Sequence, residues 1–323
     1  MTPRTDLLFR LVDLLEDALQ IVEVGTGWPS LVTVGDRDQI PVALHLGQIG
    51  LSHRRRDDLE RRFQNPTSRV PVQQVPGYFS MLVGAWESDP HIRVDETILV
   101  LADAERRIDH QTRVSVFVSA LALEQAQRTG WATHTSDSGE RMFYFRPEML
   151  PVAAALSIAG VEPKSTAIAA AIDERDQYGD GQSRTRRAVS ALVRDAKFRG
   201  DVLKAYGSTC AMCGLGLSLV EGAHIYPASA PGSVDTVRNG IALCANHHRA
   251  FDLHQVTVLP DDFRVMLRPD VLGGASGGPA GRLFLDGTFD FLALPRHSIY
   301  APDPRFIVAR HQHYAAEYEW LLV

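Results

Sequence analysis

The chain is short of three things, and each shortage excludes a class of protein. It has 3 cysteines in 323 residues, and so low and odd a count excludes a scaffold stapled by disulfides. Its most apolar stretch, residues 151–161, falls well below the roughly 18 residues that a membrane helix needs. It also lacks a surplus of cations: 33 Lys and Arg stand against 39 Asp and Glu, a net charge of −6. That balance is not the basic one of a dedicated nucleic-acid binder, although an average over the whole chain conceals local patches. The opening residues alternate apolar and acidic types, with no signal-peptide core and no small-residue cleavage site, so the expectation is a cytoplasmic protein. What is present is ordinary for a globular chain: 45% hydrophobic and 22% charged residues, enough to bury a core in one large or two medium domains.

Along the chain, Leu7, Leu8, Leu11, Val12, Leu15, Leu19 and Val22 fall at helical spacing with Asp13, Glu16 and Asp17 opposite, which predicts an amphipathic helix over 7–22. Runs at 30–34, 40–46, 97–102, 113–119 and 142–145 are rich in β-branched, aliphatic or aromatic residues and predict strands. A helical patch covers 121–128, and the Ala-rich stretch 151–171 reads as a closing helix. Residues 173–183 are charged, contain glycine and lack an apolar period, which predicts a linker. The expectation is therefore an α+β protein of two domains, 1–172 and 184–323, joined by that linker. Residues 184–205 read as a helix with seven cations and two anions, a local net of +5. The glycine-rich stretch 273–278 reads as a surface loop.

All the cysteines fall in one short region, in two half-sites. Cys210-Ala-Met-Cys213 is a C-x2-C pair and Cys244-Ala-Asn-His247 a C-x2-H pair. Three thiolates and an imidazole complete a tetrahedral zinc set, and a closed set of four leaves no position for water, so the metal is structural. The alternative is a group of buried free cysteines beside an incidental histidine. Within this frame lie His224 at the end of one apolar run, Asn239 before a second, and His248 directly after His247.

The order His224, Asn239, His248, interleaved with the zinc half-sites, resembles the HNH nuclease family and its ββα-metal fold. The flanking segments 198–210, Glu221-Gly-Ala-His-Ile, Asn-Gly-Ile-Ala-Leu-Cys and His-Arg-Ala-Phe-Asp252 resemble a bacterial group of HNH restriction endonucleases, over about residues 184–318. The resemblance implies a C-terminal metal-dependent endonuclease. It makes His224 the general base, since an imidazole titrates near neutrality, and His248 a ligand of a catalytic Mg²⁺ or Mn²⁺. Asn239 orients the ring of His224 or its loop. Many HNH enzymes carry a metal-binding Asp just before the base histidine; here that position is Ala223, and either Glu221, Asp252 or His254 compensates or metal binding rests on His248 with water and phosphate. Arg186, Arg187, Lys197 and Arg249 are the candidate phosphate contacts.

The substrate implied is double-stranded DNA, cut by a homodimer because two strands need two sites. A module of this kind discriminates little, so residues 1–172 become the candidate reader, and the domain order suits a modification-dependent restriction enzyme that flips a base into a pocket. Candidate stacking aromatics are Trp28, Tyr78, Phe79, Trp86, Trp131, Tyr144 and Phe145, with core packing as the bland reading of most. Ser52-His-Arg-Arg-Arg56 with Arg61 and Arg62 is a basic patch that reads either as a phosphate contact or as a solvated helix face. The rival reading is a non-catalytic, zinc-stabilised DNA-binding module, for which Ala223 is the main support. Toxin-like and homing nucleases fit less well, because neither export features nor repeated DNA-binding elements occur.

Overall fold

The computed structural model describes residues 3–35, 39–52, 59–65, 70–87, 96–108, 114–161, 168, 182–217, 219–273 and 278–322. Two compact units result, Met1–Ile158 with Glu162–Val193, and Ala159–Val161 with Arg194–Val323. The linker expected at 173–183 lies outside the described residues as far as 181, and its last two positions already belong to a helix. Among the described residues no helix is long and apolar enough to cross a membrane.

The first unit runs α1 (Pro3–Leu15), β1 (Leu19–Glu23), β2 (Ser30–Val34), β3 (Ile40–Gln48), β4 (Gly50–Leu51), β5 (Glu60–Gln64), β6 (Phe79–Trp86), β7 (Ile98–Ala102), β8 (Ser115–Ser119), α2 (Ala120–Thr129), β9 (Trp131–Thr135), β10 (Arg141–Phe145) and α3 (Leu150–Ala159). Seven strands form one sheet in the order β1-β2-β3-β6-β7-β10-β9, and β4-β5-β8 form a smaller one. The pair β3–β6 is parallel, and the other pairs are antiparallel. Alternation along β3 turns Leu44 and Leu46 toward Leu8 of α1, and Gly47 toward Phe63 of β5. Phe63 also lies so close over β6 that a Cβ on Gly84 would stand 2.6 Å from its ring. Ser119 caps α2 by accepting a hydrogen bond from the Ala122 amide at 3.3 Å, and Gly130, with φ 75°, ends it.

Several expectations are corrected here. The helix predicted over 7–22 stops at Leu15; Glu16 takes φ 47°, and Leu19 enters the sheet opposite Val34, because burying Leu19 between strands outweighs an extra helical turn. Arg61 and Arg62 lie on a strand and not on a solvated helix face, and Arg61 is 2% exposed, stretched over the ring of Trp86. Residues 53–56 of the same basic patch lie outside the described residues. The closing helix ends at Ala159, ahead of Gly160 with φ 63°. The stretch 273–278 is bounded by two helices, with 274–277 outside the described residues. Strands β5, β6 and β9 escaped the sequence reading, since β6 is buried along nearly its whole length and shows no alternation. Of the candidate stacking aromatics, Trp28, Trp86, Tyr144 and Phe145 are core, while Tyr78, Phe79 and Trp131 are partly exposed.

The chain enters the second unit along α4 (Gln182–Ala205), followed by β11 (Val220–His224), β12 (Gly240–Cys244), α5 (Ala245–Asp252), β13 (Val256–Val258), β14 (Val265–Leu267), α6 (Pro269–Gly273), α7 (Gly278–Gly287) and α8 (Pro304–His313). β11 and β12 pair antiparallel, with His224 opposite Gly240 and Val220 opposite Cys244. α5 starts on the residue after β12. The hairpin lies flat against α4 because two positions lack side chains: a Cβ on Gly222 would stand 2.9 Å from the Arg199 backbone, and one on Gly240 would stand 3.0 Å from the Phe198 ring and collide with Val202.

Gly240→Ala should lower the stability of the second unit by about 1–3 kcal/mol, measured by urea denaturation. In the first unit His45 is fully buried on β3; its Nε2 accepts from the Gln73 amide at 3.0 Å, so its Nδ1–H donates to the Met81 carbonyl at 3.2 Å. Burial pushes this imidazole down from 6.5 to about 4. The unfolded chain therefore binds the proton first as pH falls, and the stability this group contributes is present above about 6.5 and lost on descending to about 4. The Tm of the wild type should fall across that window, with a shallower fall in His45→Gln.

Candidate metal and nuclease site

The chain turns back sharply at Cys210-Ala-Met-Cys213: the Gly214 amide donates to the Cys210 carbonyl at 2.9 Å, the Cys210 amide donates to the Leu215 carbonyl at 2.8 Å, and Gly214 takes φ 73°. Both thiols therefore face one side. Cys244 is the last residue of β12 and stands at the N-cap of α5, which puts His247 in the first turn of that helix. The four ligand atoms lie within 4.8 Å of one another. Cys213 Sγ and Cys244 Sγ are 3.8 Å apart, and His247 Nδ1 lies 3.2 Å from Cys244 Sγ and 3.8 Å from Cys210 Sγ. A tetrahedron with zinc–sulfur bonds of about 2.3 Å and a zinc–nitrogen bond of about 2.0 Å has edges of about 3.5–3.8 Å, so the donors fit.

The tautomer fits as well. The Thr288 hydroxyl donates to the Phe284 carbonyl at 2.7 Å, so at 3.0 Å it accepts from His247 Nε2–H, which leaves Nδ1 unprotonated toward the thiols. Burial pushes His247 down to about 4 and Cys213 up to about 12, and raises Cys210 too. The imidazole is neutral at pH 7, as a ligand must be, whereas the Cys210 and Cys213 thiols stay protonated until a cation is present to stabilise the thiolates.

The three residues of the resemblance sit on the same hairpin and helix. His224 ends β11; its ring stacks on Phe198 of α4, with centroids 3.7 Å apart and planes at 15°, and its Nε2 lies 2.9 Å from Asp235 Oδ1. Asn239 is 0% exposed and its amide is saturated: Oδ1 accepts from the Tyr226 amide at 2.8 Å, and Nδ2 donates to the carbonyls of Tyr226 and Val234 and to Ser233 Oγ. It clasps the loop that follows His224, and its contacts do not include the ring. His248 Nδ1 lies 3.0 Å from Glu221 Oε2 and its Nε2 lies 3.7 Å from Asp252 Oδ2.

Ala223 is 2% exposed and offers no side-chain oxygen. Glu221, two residues earlier on the same face of β11, supplies one beside His248. His254 is drawn elsewhere, with Nδ1 3.0 Å from the Tyr318 hydroxyl and its ring against Tyr314 and Tyr318. Lys197 and Arg249 are exposed, and the side chains of Arg186 and Arg187 lie outside the described residues.

Arg310 and Asp303, like Thr288, escaped sequence reasoning, and they hold this arrangement from behind. Arg310 of α8 is 3% exposed. It donates to the Ile225 carbonyl at 3.1 Å, the Phe251 carbonyl at 2.6 Å and the Tyr318 hydroxyl at 2.7 Å, with its guanidinium 3.8 Å over the Phe251 ring. It thereby ties the residue after His224 to the end of the helix carrying His248. Asp303 caps α8, and the Arg305 guanidinium, with Arg238 behind it, pulls its carboxyl down to about 2. The Asp303 amide donates to the Arg238 carbonyl at 2.9 Å. Nothing in the sequence pattern marks Arg310 or Thr288. Asp235 had a signal, as the single acidic residue between His224 and Asn239.

Comparison with known proteins gives two family matches. Residues 210–259 match the family model described as HNH endonuclease, and residues 42–154 match one described as Methylase-associated X1. A search of curated proteins finds no match. Among solved structures, a modification dependent TagI restriction endonuclease is similar with a TM-score of 0.38 and 14% identity, over 85% of this chain and 81% of that one.

Purified protein is expected to carry one zinc per chain by elemental analysis, and Cys210→Ser to lower the folded yield while leaving the divalent-metal dependence of whatever folds unchanged. Protein without stoichiometric zinc contradicts the four-ligand assignment.

Proposed function

We propose that this chain, which carries an HNH endonuclease domain at residues 210–259, is a metal-dependent DNA endonuclease whose first unit selects the DNA to be cut. The observation that carries the reading is the placement of His224 and of the Glu221–His248 pair on one hairpin and the helix that follows it, pinned at its base by the cluster of three cysteines and His247. The zinc of that cluster has a structural role only, since all four positions belong to the protein.

In this reading His224 takes a proton from water, and the hydroxide formed attacks phosphorus. The bond from phosphorus to the 3′ oxygen breaks, and that oxygen takes a proton from solvent. Glu221 and His248, with Asp252 at the far nitrogen, offer the oxygen and nitrogen donors that would hold Mg²⁺ or Mn²⁺. Such a cation, when bound, neutralises charge on the phosphate and the leaving oxygen. Asn239 keeps the loop after His224 in place. Lys197 and Arg249, with Arg186 and Arg187, meet phosphates, and two copies of the chain cut the two strands.

The match of residues 42–154 to a family described as Methylase-associated X1 supports a first unit that works alongside a methylase, and the order of the two units supports a modification-dependent restriction enzyme. A second reading, a zinc-stabilised DNA-binding module without catalysis, is favoured by the buried Ala223 alone.

Plasmid nicking separates the two. The wild type should nick with Mg²⁺ or Mn²⁺, and His224→Ala should fall by about 10²- to 10⁴-fold, the usual contribution of a general base. Wild type and variant equally silent under both metals would establish the binding module. Equal cutting of modified and unmodified forms of one plasmid would remove the modification-dependent part of the reading.

A further inference from the structure

The imidazole of His224 is held on two sides. The ring of Phe198 covers one face at 3.7 Å, and Asp235 Oδ1 meets Nε2 at 2.9 Å. Among the described residues Nδ1 has no hydrogen-bond partner. Asp235 comes from the loop between β11 and β12, which Asn239 locks through Tyr226, Ser233 and Val234. The carboxylate therefore stands on a fixed support at a fixed distance from the ring. An ionised carboxylate is only an acceptor, so the contact places the proton on Nε2 and leaves the lone pair on Nδ1.

We propose that Asp235 is a positioning residue that fixes His224 in the Nε2–H tautomer and stabilises the imidazolium formed on proton abstraction, so that Nδ1 is the atom that takes the proton from water. This rests on the nuclease reading above. The consequence for the reaction is asymmetric. Before the proton moves, the Nε2–H···carboxylate bond joins a neutral donor to an anion. Afterwards it joins a cation to an anion, and that strengthened bond stabilises the transition state more than the bound substrate. Loss of the carboxylate should therefore lower kcat and spare KM. Phe198 supplies the complementary restraint, since a ring stacked on it turns only within its own plane, and the carboxylate stops that turn.

The test uses the full-length, zinc-loaded chain in plasmid nicking with Mn²⁺. Asp235→Asn and Asp235→Ala should lower kcat by about 10- to 100-fold with KM nearly unchanged, and Asp235→Glu should recover part of the loss. Zinc content and circular dichroism should match the wild type, as Asp235 is an exposed loop residue. In parallel, ¹⁵N spectra of histidine-labelled protein should show His224 with Nε2 protonated and Nδ1 unprotonated, and Asp235→Asn should shift that pattern.

Wild-type kcat in Asp235→Ala, or an unmoved His224 resonance in Asp235→Asn, overturns the proposal. So does a variant whose kcat recovers at saturating Mn²⁺, because Asp235 is then a metal ligand. If the wild type cuts no DNA under either metal, the nuclease reading fails, and the spectrum alone decides whether Asp235 sets the tautomer.

Discussion

Three thiols and one imidazole, with ligand atoms confined within 4.8 Å, fix the geometry on which the second unit depends. Cys244 belongs at once to β12 and to the start of α5, so a cation held there locks strand, turn and helix as one piece. Cys210 and Cys213 bring in the segment after α4, and Thr288 and Phe284 of the α7 region support the imidazole from outside. His248 lies one residue beyond a ligand in a helix of eight residues, which leaves it little freedom of direction. The same cluster thereby sets the direction of the neighbouring His248 side chain.

A second restraint acts at the opposite end of the hairpin. Among the described residues Arg310 meets no carboxylate; its charge is met by two main-chain carbonyls, a phenol and the face of Phe251. Placed at the last turn of α5, the guanidinium complements the carbonyl end of the helix. Between the ligand cluster and Arg310, β11 and α5 are fixed at both ends, and Glu221, His224 and His248 lie between. Gly222 and Gly240 let α4 lie against the open face of the hairpin, and that approach brings Phe198 onto His224.

Legibility in the sequence followed the range of the interactions. The C-x2-C and C-x2-H half-sites, β11, β12 and the helix after them are marked by local spacing, and the structure has all of them. The strands at 30–34, 40–48, 98–102 and 141–145 carried β-branched or aromatic runs and were readable to within a few residues. The failures have a common cause. Leu19 continues a helical period but is taken by the sheet, and Arg61 carries a charge but is buried over Trp86. In both, a partner distant in sequence outweighs the local pattern.

By itself the sequence determined the clustering of three cysteines with His247, the order of histidines and asparagine around it, and the mixed α and β character of the chain, because each rests on residue type and spacing within a few turns of chain. Only the tertiary structure decided which groups answer one another: Glu221 beside His248 in place of an oxygen at residue 223, Asp235 on His224, Thr288 behind His247, and Arg310 across 85 residues to Ile225. Those contacts depend on hydrogen-bond and ring distances of a few ångströms between segments that the sequence leaves far apart, and such distances exist only once the hairpin, α4, α5 and α8 are packed together.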